Sequence, residues 1–503
     1  MTAWAVRTSA GAALPSLTAL ADDVARPGRI AGDLTTVLGD LVAEVLKDRS
    51  CDLLLLATAK GDLPAWAEAI LADPPALAGS PGAVAAALGR RHHCPAYAVS
   101  AACASGPIAL AEAARAIRFG GLQRVVVVAG DRLAPFVETG FAGLQVVDPA
   151  GSRPFSCDRA GITLGETAAA ILLEAGDGAG IFLQGWGQTL DAVHLTAPAR
   201  DGAGLQRACV QAMGGARPGV IIAHGTGTRA NDAAELAAYR AVLPDVPITG
   251  WKGGLGHSLG ASGLTEVALA LAALAAGGAL PGVCALRHGE DAPLLAPGWH
   301  PGLGLPWLST NAGFGGLNGA VLLGTAERPA QPAISVHLEN RCTDEVLVGV
   351  RGAGRLPRPS AREAVGVADP QWGRLDAACR ILVALGHHLG PWPAASGVVL
   401  VTDHGCLETD RRFEQARRQG IADHQAFAYT LPSAPVGEAS IRLGLTGPGQ
   451  VLVGASDAQA RAAVAWLIQD GCPTVLLARI ETGGAHESAW AERWSGLSGA
   501  ANH

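Results

Sequence analysis

The sequence predicts an α/β fold with mostly parallel strands. Short runs rich in Leu, Val and Ile alternate with stretches of helical periodicity along almost the whole chain, as in sheets that are covered by helices on both faces. Of the 503 residues, 49% are hydrophobic and only 4% are aromatic, a composition that suits closely packed helices on sheets. The chain is long enough to build several domains with large cores.

Taken in order, the apolar runs and the helical patterns place the individual elements. Strands are predicted at 53–56, 96–100, 125–128, 219–222, 247–249 and 320–323. Helices are predicted between them, for example at 83–88, 109–119 and 232–242. Residues 327–333 contain two prolines and no periodicity, so we interpret them as a linker. After the linker the pattern resumes, with strands at 334–338 and 397–401 and a helix at 375–385.

Charge and cysteine content exclude several classes of protein. The formal net charge of −7 argues against nucleic acid as the main partner. The ten cysteines show no C-x-x-C pair and no zinc-like spacing, so we predict neither a disulfide framework nor a structural metal. The first residues lack the features of a signal peptide, and the most apolar segment, 267–276, is too short to cross a bilayer. We therefore expect a cytoplasmic protein without a membrane role.

The apolar run at 97–102 ends at Cys103, which small residues and a helical pattern follow. This order predicts a strand that turns into a helix, with Cys103 at the helix N-terminus. Because the positive end of a helix dipole favours a thiolate, we expect a lowered pKa for Cys103 and a nucleophilic role. The alternative is a buried cysteine that acts as a small hydrophobic residue, and the residues alone leave both interpretations open.

Two further motifs carry histidines. His224 begins the sequence HGTGT directly after the predicted strand 219–222, at a strand end where open α/β sheets bind their substrates. His257 ends the sequence KGGLGH, which begins at Lys252 and leads into a helical pattern. A turn histidine is the alternative for His224. A phosphate-binding loop is the alternative for the glycine-rich segment, but the order of its lysine and glycines does not fit one.

Together these motifs resemble those of the β-ketoacyl synthases of fatty-acid and polyketide assembly. The resemblance rests on SAACASG around Cys103, on HGTGT at His224, and on K-x-x-x-G-H from Lys252 to His257. It covers roughly residues 1–326, and the joint match of three separated motifs favours a catalytic cysteine. Further residues that match in the order of that family are Arg153–Phe155, Gly165, Glu166, Asn231, Asp232, Glu235, Gly313–Gly316 and Asn318.

The resemblance implies a thiolase-like fold, in which two similar halves stack into five layers in the order αβαβα. Residues 1–185 would form the half with the nucleophile, and residues 186–326 the half with the two histidines. Residues 334–488 resemble the first of these halves again and would be an additional thiolase-like half-domain. Residues 489–503 would be a tail.

The last third of the chain repeats the first third without its cysteine. Matching the two helix ends at Gly120 and Gly471 places Gly454 opposite Cys103. A slip by one residue would place Val453 or Ala455 there instead. The lack of a nucleophile is similar to the chain-length factors that partner ketosynthases in type II polyketide and aryl-polyene systems. We therefore expect a catalytically silent half-domain that packs against the active unit or against a partner.

The resemblance also implies a role for each site residue. Cys103 would form an acyl-enzyme from a thioester, while His224 and His257 would stabilise the enolate that forms when a malonyl thioester loses CO2. Lys252 would pair with Glu266 and order the histidines. The backbone N–H groups of Cys103 and Phe314 would hold a second oxyanion. The hydroxyls of Thr226 and Thr228 would meet the pantetheine arm. Glu166 is a further expected site residue, because it belongs to the matching pattern.

No cofactor is expected, since the substrates of this family arrive on the phosphopantetheine of an acyl carrier protein. The resemblance implies this carrier protein as a partner. It also implies either a homodimer or a heterodimer with another ketosynthase-like subunit. A basic patch that includes Arg115, Arg118 or Arg124 would suit an acidic carrier protein.

Two other functions stay open at this stage. The protein could be a non-catalytic, chain-length-factor-like subunit of a partner ketosynthase, or an acyltransferase that does not decarboxylate its substrate. Retention of the cysteine, the lysine and both histidines favours decarboxylative condensation of an acyl thioester with malonyl-acyl carrier protein, in fatty-acid-like, polyketide or aryl-polyene biosynthesis. The chain departs from the family in the short region before Cys103 and in the sequence STNAGFGGL at 309–317, so the resemblance does not extend to substrate details.

Overall fold

The structure, a computed structural model, describes residues 3–176, 180–325, 335–343, 356, 358–484 and 486–497. The expected linker at 327–333 lies outside these residues. Within them, strands alternate with helices along the chain, which confirms the predicted α/β class. We refer to residues 3–325 as the N-terminal unit and to residues 335–497 as the C-terminal unit, each as far as it is described.

The strands and helices of the described residues have the following bounds. The strands are β1 (Ala3–Arg7), β2 (Leu53–Ala57), β3 (Ala96–Ser100), β4 (Arg124–Gly130), β5 (Ala168–Glu174), β6 (Phe182–Leu190), β7 (Val220–Ile222), β8 (Ile248–Thr249), β9 (Leu280–Pro281), β10 (Trp299–His300), β11 (Trp307–Gly313), β12 (Leu317–Gly324), β13 (Ser335–Thr343), β14 (Gly397–Thr402), β15 (Gly449–Val453), β16 (Thr474–Glu481) and β17 (Ser488–Leu497). The helices are α1 (Ala13–Ala21), α2 (Leu34–Leu46), α3 (Leu63–Ala69), α4 (Pro81–His92), α5 (Ser105–Arg118), α6 (Pro135–Gly143), α7 (Ala203–Met213), α8 (Arg229–Val242), α9 (Lys252–Leu255), α10 (Ser262–Ala275), α11 (Ala361–Val365), α12 (Ala377–Leu389), α13 (Leu407–Arg418), α14 (His424–Ala428), α15 (Ala434–Leu443) and α16 (Asp457–Gln469). In the part of the chain that the structure describes, none of these helices has the length and apolarity needed to cross a membrane.

The N-terminal unit has five layers. Its first sheet has the strand order β1-β5-β4-β2-β3, and its second sheet has the order β6-β12-β11-β7-β8. Helices α5 and α10 lie between the sheets and contact strands of both. Both helices are buried along almost their whole length, as expected of helices that are covered on every side. Helices α2 and α4 cover the outer face of the first sheet, and α7 and α8 cover that of the second. The resemblance implied this order of layers, αβαβα.

The C-terminal unit extends the first sheet and repeats its topology. The complete order is β1-β5-β4-β2-β3-β15-β14-β16-β17-β13, with β3 and β15 at its centre. On the N-terminal side, β3, β2 and β4 are parallel, and β5 and β1 follow in antiparallel pairings. On the C-terminal side, β15, β14 and β16 are parallel, and β17 and β13 follow in antiparallel pairings. The internal repeat predicted from the sequence is therefore present in the fold.

A pair of matching turns shows the repeat at the level of side chains. Asp131, after β4, accepts a hydrogen bond from the hydroxyl of Thr58 (2.6 Å) and bonds from the backbone N–H groups of the turn that follows β2. In the C-terminal unit, Glu481 accepts a bond from the hydroxyl of Thr402 (3.1 Å) and bonds from the backbone N–H groups of the turn that follows β14. Each carboxylate thus ties together the ends of two parallel strands.

Strand pairing changes the residue that lies opposite Cys103 in the repeat. Ala96 and Gly449 are equivalent, because each pairs with the second residue of the neighbouring strand, β2 or β14. Seven positions further on, Cys103 falls opposite Ser456 and not opposite Gly454, as the helix ends had suggested. The two estimates differ by two residues, because the connection from β15 to α16 is one residue shorter than that from β3 to α5, and α16 is one residue shorter than α5. Ser456 caps α16 through its hydroxyl, so it has a structural part to play there.

Two predicted boundaries do not coincide with breaks in the structure. The division at 185/186 falls inside β6, and the change from the first sheet to the second lies before Phe182. Most of the expected tail at 489–503 is β17, which pairs with β16 and β13. The strand escaped prediction because small buried residues such as Ala489 and Ala491 alternate with Trp and charged residues, with no continuous apolar run.

Candidate active site

A cavity of about 290 Å³ in the N-terminal unit is lined by Cys103, His224 and His257 together. The sulfur of the cysteine and a ring nitrogen of each histidine all lie within 4.8 Å of one another. The two imidazole rings are 5.4 Å apart between centroids and almost perpendicular, at 82°. The structure therefore brings together three residues that are far apart in the sequence.

Cys103 lies on a tight turn between β3 and α5. Ala102, directly before it, has a φ of 50°, in the left-handed region that residues other than glycine rarely adopt. The hydroxyl of Ser105 stabilises the turn, since it donates to the carbonyl oxygen of Ala102 (2.6 Å) and accepts from the N–H of Ala101 (2.9 Å). This turn places the cysteine at the first turn of α5 and on the wall of the cavity.

The pKa of Cys103 is shifted in the direction opposite to the one expected. Burial of the thiol among protein atoms raises its pKa to about 12, the nearby charge of Lys252 lowers it, and Asp131 raises it again. Loss of hydration is the largest of these causes, and it opposes the lowering that the helix N-terminus was expected to give. At neutral pH the resting side chain is therefore a thiol, and its proton must leave when the sulfur attacks.

His224 lies on a loop that two carboxylates of α8 hold in place. Glu235 accepts hydrogen bonds from the backbone N–H groups of His224 (2.8 Å) and Gly225 (2.7 Å). Asp232 accepts bonds from the N–H groups of Thr226 and Gly227. Burial raises the pKa of Asp232, and it raises that of Glu235 to about 7. The HGTGT sequence therefore wraps around the start of α8.

Both histidines present the same ring nitrogen to the cavity with a proton on it. The side-chain amide of Asn311 donates to Nδ1 of His224 (3.2 Å), and the backbone N–H of Leu259 donates to Nδ1 of His257 (3.1 Å). A neutral imidazole that accepts at Nδ1 carries its proton on Nε2. Burial, and then the charge of Lys252, lower the pKa of His257 to about 3 and that of His224 well below its usual value. The two rings are thus neutral hydrogen-bond donors.

Lys252 forms an ion pair with Glu266, at 2.6 Å between Nζ and Oε1, and both side chains are buried. The second oxygen of Glu266 accepts a hydrogen bond from the amide of Asn311 (3.0 Å). Asn311 therefore connects the ion pair to His224. Asn311 lies in the sequence STNAGFGGL, but no role was predicted for it. Its hydrogen-bond partners, His224 and Glu266, are distant in the chain, so the sequence does not reveal them.

Of the remaining predicted site residues, three line the cavity and one does not. Thr226, Thr228 and Phe314 line the cavity, and the two threonine hydroxyls are 3.0 Å apart. Glu166 does not line it. Its carboxylate accepts hydrogen bonds from the N–H groups of Ile30 (2.9 Å) and of Leu133 (2.8 Å). It stabilises the loops beside the site and does not contact the cavity.

Asp131 is a second residue whose contribution the sequence reasoning missed. In addition to the turn after β2, its carboxylate accepts a hydrogen bond from the N–H of Gly260 (2.9 Å), in the segment that follows His257. Burial raises its pKa to about 6. The residue joins the first sheet to the loop that carries the second histidine.

Comparison with known proteins matches this site to a family. Residues 53–179 match the family model of the β-ketoacyl synthase N-terminal domain, and residues 182–285 match that of the C-terminal domain. This part of the chain is thus similar to both domains of the β-ketoacyl synthases. The match includes all three cavity residues, and it confirms the resemblance seen in the sequence.

Curated relatives cover the same region. The chain is 32% identical over 243 residues to 3-oxoacyl-[acyl-carrier-protein] synthase 2 of Synechocystis sp., which covers 43% of this chain and 58% of the relative. It is 36% identical over 213 residues to nodulation protein E of Rhizobium sp., covering 39% and 52%. It is 32% identical over 257 residues to the tetracenomycin polyketide synthase ketoacyl synthase alpha subunit of Streptomyces glaucescens, covering 46% and 60%. The chain thus spans less than two thirds of the length of each of these relatives.

Solved structures extend the likeness to the C-terminal unit as a fold. A structure described as PfaC keto synthase-chain length factor matches 94% of this chain and 70% of its own, with a TM-score of 0.70 and 16% identity. A ketosynthase in complex with its chain length factor from Xenorhabdus doucetiae matches 65% of this chain and 97% of its own, with a TM-score of 0.57 and 24% identity. These likenesses confirm the thiolase-like ketosynthase fold.

Cys103, His224 and His257 are also close enough to be considered as metal ligands. Zinc would require an unprotonated ring nitrogen on each histidine that faces the sulfur. The Nδ1 atoms already accept hydrogen bonds, so the protons are on the nitrogens that a metal would need. This arrangement suits a pair of hydrogen-bond donors better than a metal site.

A second, enclosed pocket lies next to Cys103 and is lined by both units. Phe136, Phe141 and Phe314 come from the N-terminal unit, and Phe427 comes from the C-terminal unit. Phe427 packs against Phe141 with 5.4 Å between ring centroids. With about 20 Å³ of free space, this pocket is much smaller than the main cavity.

One of the three arginines expected in a carrier-binding patch, Arg115, is not accessible to a carrier protein. Arg115 is buried and makes an ion pair with Asp470 of the C-terminal unit (2.9 Å). Arg124 pairs with Glu174 at 3.5 Å. Arg115 was misplaced because the sequence alone does not show that the C-terminal unit covers α5.

Proposed function

We propose that this protein catalyses the decarboxylative condensation of an acyl thioester with malonyl-acyl carrier protein, giving a 3-oxoacyl thioester. The observation that carries the proposal is the meeting of one thiol with two neutral imidazole donors within 4.8 Å, in a single cavity. The names of the relatives include both fatty-acid and polyketide synthases. These names support the same class of reaction.

In the first step, Sγ of Cys103 attacks the carbonyl carbon of the acyl thioester. A bond forms between this carbon and Sγ while the bond to the pantetheine sulfur breaks, and the thiol proton goes to the departing sulfur. The raised pKa of the thiol means that proton loss accompanies attack. The N-terminus of α5 stabilises the negative charge that develops on Sγ.

In the second step, malonyl thioester binds with its carbonyl oxygen between the two imidazoles. The bond to the carboxylate carbon breaks, CO2 leaves, and the electron pair forms an enolate with negative charge on the thioester oxygen. The Nε2–H groups of His224 and His257 donate hydrogen bonds to this oxygen, and the positive charge of Lys252 adds to the favourable potential. Because both rings are neutral and fixed, they need not reorganise as the charge forms.

In the third step, the enolate carbon attacks the acyl group on Cys103. The new carbon–carbon bond forms as the bond to Sγ breaks, and the released thiolate takes up a proton from solvent. The backbone N–H groups of Cys103 and Phe314, two residues on the wall of the same cavity, would hold the oxyanion of this step. Thr226 and Thr228, on the same wall, would hydrogen-bond the pantetheine arm.

The acyl chain would occupy the enclosed pocket next to Cys103. This pocket has little free space and aromatic walls, so it favours a short acyl group. Phe427 would limit the chain at one side. The C-terminal unit would thereby help to select the substrate.

We propose the acyl carrier protein as the partner that delivers both substrates, in the reducing cytoplasm where the thiol of Cys103 stays free. A second subunit at the edge of β3 is not part of the proposal, because β15 of the same chain already pairs with this edge. In this proposal the C-terminal unit, through β15, supplies the ketosynthase-like neighbour that the resemblance implied as a second subunit. A homodimer would have to use another surface.

Acylation of Cys103 tests the proposal. After incubation with an acyl-acyl carrier protein, we expect the peptide that contains Cys103 to gain the mass of the acyl group. Cys103→Ala should remove the adduct, whereas Cys157→Ala, which changes an exposed cysteine, should keep it. A native protein that stays unmodified would instead favour a non-catalytic subunit. An adduct on Cys103 without CO2 release from malonyl-acyl carrier protein would favour the acyltransferase.

A further inference from the structure

Cys51 and Cys94 form a pair of thiols that the proposed reaction does not use. Their sulfur atoms are 3.1 Å apart, although the residues are 43 positions apart in the chain. Cys51 lies just before β2, and Cys94 lies just before β3. Parallel neighbouring strands are about 4.8 Å apart, which is within the range of Cα separations that a disulfide bridges. The pair is therefore held in place by the sheet.

One of the two thiols can be reached from solvent. Cys51 is buried, whereas Cys94 is only half-buried. Cys94 lies on the wall of a shallow surface depression, together with Arg90 and His93. The depression is at the N-terminal end of β3, while Cys103 follows the other end. A small oxidant can therefore reach Cys94 without entering the active-site cavity.

The contacts between the thiols give them different reactivities. The S–H of Cys51 donates to the sulfur of Cys94, which lowers the pKa of Cys94 and raises that of Cys51. An accessible thiol with thiolate character beside a second thiol is the arrangement in which oxidation leads to a disulfide.

We propose that Cys51 and Cys94 are a redox-active dithiol that a hydroperoxide converts to a disulfide. The thiolate of Cys94 attacks the peroxide, whose oxygen–oxygen bond breaks, giving a sulfenic acid on Cys94 and one equivalent of hydroxide or alkoxide. The sulfur of Cys51 then attacks the sulfur of Cys94, a disulfide forms, and water leaves with the thiol proton of Cys51. Two electrons pass from the cysteines to the peroxide, and a small dithiol reductant reverses the change.

Peptide mapping of the full-length protein tests this proposal. The reduced protein is treated with hydrogen peroxide, free thiols are blocked with N-ethylmaleimide at low pH, and the protein is digested without reductant. We expect a peptide that links Cys51 to Cys94 and that disappears after dithiothreitol treatment. The proposal is wrong if both residues are recovered as maleimide adducts after treatment that oxidises the exposed Cys157.

Two variants test the order of the steps. In Cys51→Ser, dimedone, which traps sulfenic acids, should label Cys94. In Cys94→Ser, Cys51 should remain unlabelled, because it is buried. Labelling of Cys51 in Cys94→Ser would overturn the assignment of Cys94 as the first residue oxidised. The peptide mapping uses the protein without substitutions, so its result does not depend on how either variant folds.

Discussion

Asn311 is the residue that fixes the proton at His224. Its amide donates to Nδ1 of His224 and to the carboxylate of Glu266. No sequence motif predicts either contact. The proposed chemistry needs this proton arrangement, because only a ring that accepts at Nδ1 donates from Nε2. Asn311 is therefore a positioning residue that acts through the histidine.

Replacement of Asn311 by Ala should separate the two halves of the reaction. We expect acylation of Cys103 to continue, because Asn311 makes no hydrogen bond to the cysteine, and decarboxylation to slow by up to about 100-fold as His224 loses its orientation. The measurement is CO2 release from malonyl-acyl carrier protein beside the mass of the acyl-enzyme. Ser309→Ala, on the same strand, is the matched control, since its hydroxyl has no hydrogen-bond partner among the described residues. Equal loss of both steps in Asn311→Ala would contradict the positioning role.

The low pKa of His257 makes stability depend on pH in a defined range. The ring takes up a proton near pH 6.5 in the unfolded chain but only near pH 3 in the folded protein. Between these values the unfolded state binds more protons, so the free energy of unfolding falls as the pH falls, by at most about 1.4 kcal/mol per pH unit. Urea unfolding at several pH values below 6.5 should give a shallower dependence for His257→Gln than for the native protein. Identical slopes would mean that the ring is not buried in its neutral form.

The site could be predicted from the sequence in part. Cys103, His224 and His257 were grouped because each lies in a motif, and the structure places them together. The pKa of Cys103 was predicted in the wrong direction, because the degree of burial depends on residues that are remote in the chain. Asn311 stayed unassigned for the same reason. Contacts between distant segments, and not local patterns, define the protonation of this site.

Strands were predicted well where they are continuous apolar runs. The predicted strands 53–56 and 397–401 correspond to β2 and β14, which are buried at every position. β5 and β6 were not predicted, because β5 begins with three alanines and because glycine and polar residues interrupt the apolar residues of β6. Glycine in β6 permits close packing, since a Cβ at Gly185 would lie 1.9 Å from the carbonyl oxygen of Ala212 in α7.

A buried ion pair joins the turn after β2 to helix α13 of the other unit. Nζ of Lys60 lies 2.6 Å and 2.8 Å from the carboxylate oxygens of Asp410, which also accepts a hydrogen bond from the indole N–H of Trp66. Lys60 further donates to the carbonyl oxygen of Thr430 (2.6 Å). Both charged groups are buried, so the pair is sensitive to removal of either charge.

Asp410→Asn should lower the free energy of unfolding by about 3–5 kcal/mol, because it leaves the charge of Lys60 buried without its counter-charge. Urea unfolding monitored by tryptophan fluorescence measures this change. The double variant Lys60→Met with Asp410→Leu should recover much of the loss. Glu44→Gln, which breaks an exposed pair with Arg7, should cost less than about 1 kcal/mol. A loss in Asp410→Asn no larger than in Glu44→Gln would contradict the importance of the buried pair.

The molecule is built around the antiparallel pair of β3 and β15. Val99 faces Leu452 at the centre of the ten-stranded sheet, and the same order of strands extends on both sides. The repeat was visible in the sequence, but the pairing of its two copies in one sheet was not, because strand partners that are far apart in the chain leave no local pattern. Among the described residues, only the first copy is followed by a second sheet, and His224 and His257 lie in segments that follow its strands β7 and β8. The asymmetry explains why a single active site is expected.

Carbon labelling of the product tests the proposed condensation most directly. The protein is incubated with an unlabelled acyl-acyl carrier protein and with malonyl-acyl carrier protein labelled with ¹³C at every malonyl carbon. We predict a carrier-bound 3-oxoacyl product that keeps two of the labelled carbons, with the third released as labelled CO2, and no product from Cys103→Ala. Transfer of the acyl group to the second carrier without any labelled carbon, or loss of CO2 without a 3-oxoacyl product, would contradict it.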